Sequence, residues 1–262
     1  MTVARTRNAL DASAVDAVLA AAEKHATQHG YRVFIAVVDA GGHLLGLRRT
    51  DGAQVASSQV AMDKARTAAI FLRPSRDIEA QVAAGRLGAL ALHDAAALTG
   101  GIPLVVGDEG VSIAGASIDL LVFPVPAITA EGARLAAEAA GMTADQRKVW
   151  PVVAVVDAGG ELVYLRRPDR AQVASVGVAT DKARTAAIYR RPSKDFEDQA
   201  ANGRPSALHL AGAVPLQGGI PLVVDGGVVG AIGVSGASSA DEDQALALIG
   251  ADGFAAAVRA GS

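Results

Sequence analysis

Apolar side chains are spaced along the chain in ways that predict its secondary structure. In residues 9–29 they recur every three or four positions, which predicts a helix that Asp11 or Ser13 can cap. Residues 53–72 are predicted to form a second, longer helix. Pro74 follows this helix and ends it, because proline cannot continue a helix.

Segments rich in Val, Ile, Leu and aromatic residues predict strands. Residues 31–38 and 43–49 flank the turn Ala40–Gly42, which predicts a β-hairpin. Residues 102–106 and 111–117 predict a second hairpin. Two hairpins with helices between them favour an antiparallel sheet with helices packed on it. The predicted fold class is therefore α+β.

The segment between the hairpins predicts shorter elements. Ser75 can cap a short helix that ends at Ala84, and Asp77 and Glu79 suit the first turns of a helix. Residues 85–99 are mixed and rich in alanine, and they predict a loop with some helix.

The whole pattern occurs twice, 118 residues apart. Three motifs return unchanged at this offset: Asp63–Ile70 as Asp181–Ile188, Val37–Gly42 as Val155–Gly160, and Gly100–Val106 as Gly218–Val224. The chain is therefore predicted to be a tandem duplication, with repeat one at residues 1–126 and repeat two at residues 127–262. Residues 123–126 form a short linker. A linker this short predicts that the repeats pack together as a fused pseudo-dimer.

The two repeats end differently. Repeat two continues through Gly230–Gly236 into an acidic stretch, Asp241–Asp243, and an Ala-rich terminal helix that Ser239 can cap. Repeat one leads directly into the first helix of repeat two and has no room for such a helix. This difference predicts that the two repeats need not both hold a working site.

Composition excludes several classes of protein. The net charge of −3 and the lack of a basic run argue against binding to nucleic acid or anionic lipid. Cysteine is absent, which excludes disulfides, thiolate metal sites and a cysteine nucleophile and fits a cytoplasmic protein. Neither a signal peptide nor a membrane-spanning stretch is expected. Aromatic residues make up only 3% of the chain, so the core must be mostly aliphatic.

Six motifs in order resemble the GlcG/HbpS family. In repeat two they are Val155–Gly160, Leu162–Arg167, Lys182–Ala186, Gly218–Pro221, Gly230–Gly236 and Asp241–Glu242. The family includes haem-binding proteins, a protein of glycolate-utilisation operons and the C-terminal domain of a corrinoid adenosyltransferase. The resemblance implies a profilin-like α/β/α fold with a sheet of about five antiparallel strands in each repeat. It also implies assembly into dimers or larger oligomers, here a homo-oligomer of fused pseudo-dimers.

A set of duplicated basic residues is the main candidate for a binding site. Arg49 and Lys64 return as Arg167 and Lys182. The neighbouring Thr67 returns as Thr185. Arginine offers a planar fork and lysine a point charge, so these side chains can bind a carboxylate or a haem propionate. The alternative is that these side chains only pair with one another on the surface of a helix. We favour this alternative for Arg66, which is an i,i+3 partner of Asp63.

Gly101 and Gly219 precede predicted strands, and two interpretations stay open for them. They can let a ligand approach backbone amides, or they can simply permit a turn. No Gly-Lys-Ser/Thr follows, so the segment is not a phosphate loop.

No histidine is repeated, so no histidine site can exist in both repeats. The five histidines are His25, His29, His43, His93 and His209. His93 and His209 lie before the Gly-Gly segments and are candidates for a haem axial ligand or a general base. His25 and His29 have a metal-compatible spacing but lack a third ligand, so no metal site is predicted.

Two functions from different classes follow. The first is binding of haem or a related anionic cofactor or small carboxylate, with the arginines and lysines holding carboxylates. The second is an enzyme of the lyase, hydrolase or isomerase type that acts on a small carboxylate metabolite, with Lys64, Lys182, His93 or His209 as acid or base. A purely structural role is the third alternative.

Overall fold

The computed structural model describes residues 3–104, 112–113, 116–117 and 122–261. The chain divides into two compact units. One consists of residues 8–124, and the other consists of residues 1–7 together with residues 125–262.

The described strands and helices follow the duplicated order. The strands are β1 (Ala4–Leu10), β2 (Phe34–Val38), β3 (Leu44–Arg49), β4 (Ser112–Ile113), β5 (Ala116–Ser117), β6 (Val122–Ile128), β7 (Val152–Asp157), β8 (Leu162–Arg166), β9 (Gly219–Val224) and β10 (Gly227–Ser235). The α-helices are α1 (Ala12–Gln28), α2 (Ser57–Phe71), α3 (Arg76–Ala83), α4 (Ala130–Gln146), α5 (Ser175–Tyr189), α6 (Lys194–Ala201) and α7 (Ala240–Gly261). Short 3₁₀ turns occupy Leu87–Ala91 and Pro205–His209.

Repeat two forms a three-layer α/β/α unit. Its sheet has four antiparallel strands in the order β8-β7-β10-β9. Successive side chains of a strand point to opposite faces, and β7 is buried on both. Val153 and Val155 pack in the cluster formed with α4 and α7. On the other face, Val156 packs against alanines of α5.

The two helices on one face of this sheet approach closely because the contacting side chains are small. Ala133, Ala136 and Ala140 of α4 are fully buried in a cluster that also contains Phe254 of α7. Gly250 of α7 leaves no room for a side chain, because a Cβ there would lie 2.8 Å from Ala136 O of α4. This packing explains how an interior with few aromatic residues is filled.

In the first unit the predicted helix and hairpin are confirmed with shifted ends. The helix begins at Ala12 because the Asp11 carboxylate accepts a hydrogen bond from the Ala14 amide at 2.7 Å. Of the two predicted caps, Asp11 is therefore the one used. Strands β2 and β3 pair antiparallel, with Phe34 opposite Arg49.

The second predicted hairpin of repeat one differs from its counterpart in repeat two. Residues 102–104 are not a strand, and 105–106 lie outside the described residues. Within the predicted strand 111–117, β4 and β5 pair with each other. In repeat two the strand approaches its neighbour closely at Gly230, where a Cβ would lie 2.3 Å from Val156 O, and the aligned residue 112 is serine.

The first residues of the chain pack within the unit that contains repeat two. Strand β1 pairs with β6 in a separate two-stranded sheet, and Val3 O accepts a hydrogen bond from the Thr129 amide at 3.1 Å. Val3 is buried in the same apolar cluster as Phe254. Gly132 permits this approach, because a Cβ there would lie 2.1 Å from Val3 O. The repeat boundary at residue 126 stays a prediction of the sequence alignment.

Candidate functional site

Lys182 is buried and forms an ion pair inside repeat two. It lies on α5, and its Nζ donates to Asp243 Oδ2 at 2.9 Å and to Val234 O at 3.0 Å. Lys182 is 3% exposed and Asp243 is 6% exposed. Buried charges need partners of this kind, since an isolated ion is very costly away from water. The carboxylate that Lys182 contacts in this structure is therefore one from its own chain.

Asp243 reaches Lys182 from the first turn of α7. Its other carboxylate oxygen accepts a hydrogen bond from the Ala237 amide at 2.9 Å. The Ser239 hydroxyl accepts one from the Glu242 amide at 3.1 Å, which confirms Ser239 as a cap. The sequence indicated that acids suit this helix terminus, but it gave no sign that Asp243 pairs with a lysine 61 residues away.

Lys64 in repeat one has the same local frame, by which we mean its position against a Gly-Gly pair, but it lies in a different environment. A Cβ built on Gly100 would lie 3.4 Å from Lys64 Nζ, and one on Gly218 would lie 3.1 Å from Lys182 Nζ. Both ammonium groups therefore lie over the first glycine of a Gly-Gly pair. Lys64 is only partly buried, Gly100 is exposed and Gly218 is buried. Among the described residues, Lys64 has no carboxylate partner within 4.0 Å.

Gly101 and Gly219 serve close packing of the backbone. A Cβ at Gly101 would lie 2.0 Å from Lys64 O, and one at Gly219 would lie 2.1 Å from Lys182 O. Both glycines are buried. Their place in the structure fits a structural role, and their predicted contact with a cofactor stays a prediction.

Thr67 and Thr185 are fully buried and join a helix to a loop. The Thr67 hydroxyl donates to Asp63 O at 2.7 Å and accepts from the Ala96 amide at 2.8 Å. Thr185 makes the same two bonds with Asp181 O and the Val214 amide. Each threonine hydroxyl therefore has two internal partners, a carbonyl of its own helix and an amide of the loop.

Ser75 makes a third internal connection, and its predicted role as a helix cap is wrong. Its hydroxyl makes no capping bond to α3. Instead it donates to Leu98 O at 2.6 Å and accepts from the Gly101 amide at 2.8 Å. Ser193 repeats this arrangement with Leu216 and Gly219. The duplicated serine therefore holds the Gly-Gly segment against the helices.

Arg49 and Arg167 are exposed near the ends of β3 and β8. The Arg49 guanidinium donates to Ala53 O at 3.0 Å and lies 5.5 Å from the centre of the Phe34 ring. Both arginines are accessible to an anionic ligand, but nothing in the described contacts brings either of them to the lysine of its repeat.

The predicted pairing of Arg66 with Asp63 is wrong. The Arg66 guanidinium lies 3.3 Å from the Asp94 carboxylate, while Asp63 accepts a hydrogen bond from Gln59 at 2.8 Å. A Cβ at Gly42 would lie 2.6 Å from Arg66 Cγ. The arginine therefore lies over the hairpin turn, which directs its guanidinium away from Asp63.

The histidines named as haem ligands or bases lie on the surface. The His93 side chain is 94% exposed, and its Nδ1 lies 2.8 Å from Asp94 Oδ2. Burial alone would raise the pKa of Asp94, but the hydrogen bond with His93 and the charge of Arg66 outweigh it and lower that pKa. His209 is exposed at the end of its 3₁₀ turn. The described residues contain no group of three potential metal ligands.

Two cavities among the described residues lie away from the predicted site residues. One of about 360 Å³ is lined by Arg5, Thr129, Asp157 and neighbouring apolar residues. The other, of about 440 Å³, lies between α1 and β3 and is lined by Leu10, Val15, Leu45 and their neighbours. Neither is lined by the lysines, the paired threonines or the candidate histidines.

These features define a duplicated α+β protein whose lysines lie over Gly-Gly turns. The chain belongs to the family described as haem degrading protein HbpS-like, whose model matches residues 10–118 and again residues 128–252. The resemblance seen in the sequence is thereby confirmed.

Individual relatives match one repeat's length of the chain. Protein GlcG of Escherichia coli (strain K12) is 42% identical over 98 residues, which are 37% of this chain and 73% of GlcG. The crystal structure of HbpS is 35% identical, covers 48% of this chain and 89% of its own, and has a TM-score of 0.46. The structure of a PduOC:heme complex is 27% identical, covers 48% and 94% respectively, and has a TM-score of 0.45. Within the described residues, none of the helices is long and apolar enough to cross a membrane.

Proposed function

We propose that this protein binds haem or a related anionic cofactor, and that a lysine over a Gly-Gly turn holds a carboxylate of the ligand. The family description names haem degradation, which supports haem as the first ligand to test. The observation that carries the proposal is the Lys182 ammonium, which holds a carboxylate at 2.9 Å above this turn. The same frame recurs at Lys64.

The surroundings of the Gly-Gly turn in repeat one suit an amphipathic ligand. Leu98 and Ile102 flank Gly100 in the sequence and are exposed, Ile102 by 72%. An ammonium beside exposed apolar side chains matches a molecule with an apolar body and carboxylate ends, such as haem. The exposed guanidinium of Arg49 is a further candidate for a carboxylate. Cytoplasmic location and an oligomer of fused repeats belong to the same proposal.

The second candidate function is an enzyme that uses acid–base chemistry on a small carboxylate. One observation favours it, namely the His93 imidazole beside the Asp94 carboxylate, an arrangement that orients a base. However, the His93 side chain is 94% exposed and lines neither cavity. Because binding a ligand requires no enclosed general base, we rank ligand binding above the enzyme function.

A haemin titration of the purified full-length chain, followed at the Soret band, tests the proposal. We expect a saturable shift, and we expect Lys64→Met to weaken binding about tenfold or more, as loss of a charge-assisted bond does. Lys24→Met is the matched control, because Lys24 is exposed on α1 and lies outside the site. His93→Ala and His209→Ala in the same assay test the axial-ligand predictions. A flat titration contradicts the haem proposal and directs the search to small carboxylates.

A further inference from the structure

We infer that Asp243 is an internal ligand: in repeat two it takes the place that a carboxylate of the bound molecule takes at Lys64 in repeat one. This inference rests on the proposed function and assigns the binding site to repeat one. Repeat two then acts as a closed scaffold whose lysine is already satisfied.

The frames of the two lysines match in three independent respects. In each repeat the lysine carbonyl lies against the second glycine, at 2.0 Å and 2.1 Å from the Cβ positions of Gly101 and Gly219. In each repeat the ammonium lies over the first glycine. In each repeat a buried serine hydroxyl accepts a hydrogen bond from the second glycine's amide at 2.8 Å. The two ammonium groups are therefore held in comparable places, and what differs is the partner.

Repeat one cannot supply the same partner from the same position. Residue 125 aligns with Asp243, since 243 − 118 = 125, and it is valine. It also belongs to strand β6, which leads into α4, whereas Asp243 lies in the first turn of α7. The acid that satisfies Lys182 thus belongs to the terminal helix of repeat two, which repeat one lacks.

The lysine and the first glycine also differ between the repeats in how exposed they are. With Asp243 in place, Lys182 and Gly218 are buried. Lys64 is partly exposed and Gly100 is exposed, so an external carboxylate has access to this ammonium. A lysine ammonium can accept any carboxylate as a point charge. The ligand is therefore a molecule with a free carboxylate, such as haem with its propionates or a small organic acid.

Asp243→Ala in the full-length chain tests whether the place of Asp243 accepts an external carboxylate. The variant should melt at a lower temperature than the wild type, and sodium formate should raise its melting temperature saturably relative to sodium chloride at equal ionic strength. Lys182→Met is the control and should show no formate-specific gain. Equal effects of formate and chloride on Asp243→Ala would overturn the inference.

Haemin stoichiometry separates failure of this inference from failure of the proposed function. We expect the wild type to bind one equivalent, which Lys64→Met weakens at least tenfold. A wild type that binds no haemin contradicts the proposed function. Binding that survives Lys64→Met but is lost in a folded Lys182→Met variant overturns the inference alone.

A double variant keeps the test decisive if Asp243→Ala does not fold. Lys182→Met/Asp243→Asn removes both buried charges and keeps an oxygen that can accept from the Ala237 amide. We expect it to bind one equivalent of haemin as the wild type does. Loss of that binding in the folded double variant would place the site in repeat two and overturn the inference.

Discussion

At the scale of single residues, Lys64 and Lys182 show how one side chain in matching frames can contribute differently to stability. Lys182→Met leaves the buried Asp243 without its counter-ion, and we expect a loss of about 3–5 kcal/mol in the free energy of unfolding. Lys64→Met breaks no ion pair among the described residues, and we expect a change of about 0.5 kcal/mol or less. Urea unfolding followed by circular dichroism measures both. Equal losses would mean that Lys64 has a buried partner too.

The paired threonines lead to a second prediction at this scale. Thr185→Val removes the oxygen that accepts the Val214 amide, so that amide loses its partner in a partly buried place. We expect a loss of about 1–3 kcal/mol in the free energy of unfolding. The single tryptophan, Trp150, lies in repeat two and reports its urea unfolding by fluorescence.

The control for this threonine lies on the same helix. Thr180 also donates to a carbonyl four residues earlier, at 2.8 Å from Val176 O, but within the described part of the chain no backbone amide donates to it. Thr180→Val should therefore change stability much less than Thr185→Val. If the two variants were equally destabilised, the loop contact would not be the cause.

At the scale of elements, helix α5 and strand β9 meet where only glycine fits. We expect Gly219→Ala to lower the free energy of unfolding by about 3 kcal/mol or more, because the new Cβ would lie 2.1 Å from Lys182 O and backbone cannot easily move aside. Gly177→Ala is the matched control on α5, since a Cβ there meets nothing within 4 Å. It should raise stability by about 0.5–1 kcal/mol, as alanine does within a helix. Chemical denaturation of both variants measures these changes. A small loss of stability in Gly219→Ala would exclude the packing role of Gly219.

Elements that depend on local signals were predictable, and those that depend on distant partners were not. Asp11 lies beside the helix it caps, so its role could be predicted from the adjoining sequence. Ser75 resembled a cap for the same local reason, but its partners are Leu98 and Gly101, more than twenty residues away. Short-range pattern carries no information about such contacts.

The candidate site follows the same rule. Duplication singled out Lys182, yet its partner Asp243 has no counterpart in repeat one, so comparing the repeats could not reveal the pair. The second hairpin of repeat one was predicted from composition alone. In repeat two the pairing of β10 with β7 depends on the space beside Val156 O, which becomes visible only in three dimensions.

At the scale of the whole molecule, the first residues of the chain help to complete the unit that contains repeat two. Val3 is 7% exposed within the cluster of α4 and α7, and its carbonyl accepts a hydrogen bond from the Thr129 amide that precedes α4. We therefore expect Val3→Ala to lower the stability of this unit by about 1–2 kcal/mol, the effect of removing two buried methyl groups.

Hydrogen exchange of the α4 and α7 amides measures this effect where it should occur. Because local opening reports the stability of each segment, these amides should lose protection in Val3→Ala while those of α1 should not. Arg5→Ala is the control, since Arg5 lies only two residues beyond Val3 but is exposed. If Val3→Ala left α4 and α7 unchanged, or if Arg5→Ala affected them equally, the burial of Val3 would not stabilise repeat two. The expected result would mean that repeat two, expressed without repeat one, needs the chain's first seven residues to reach its full stability.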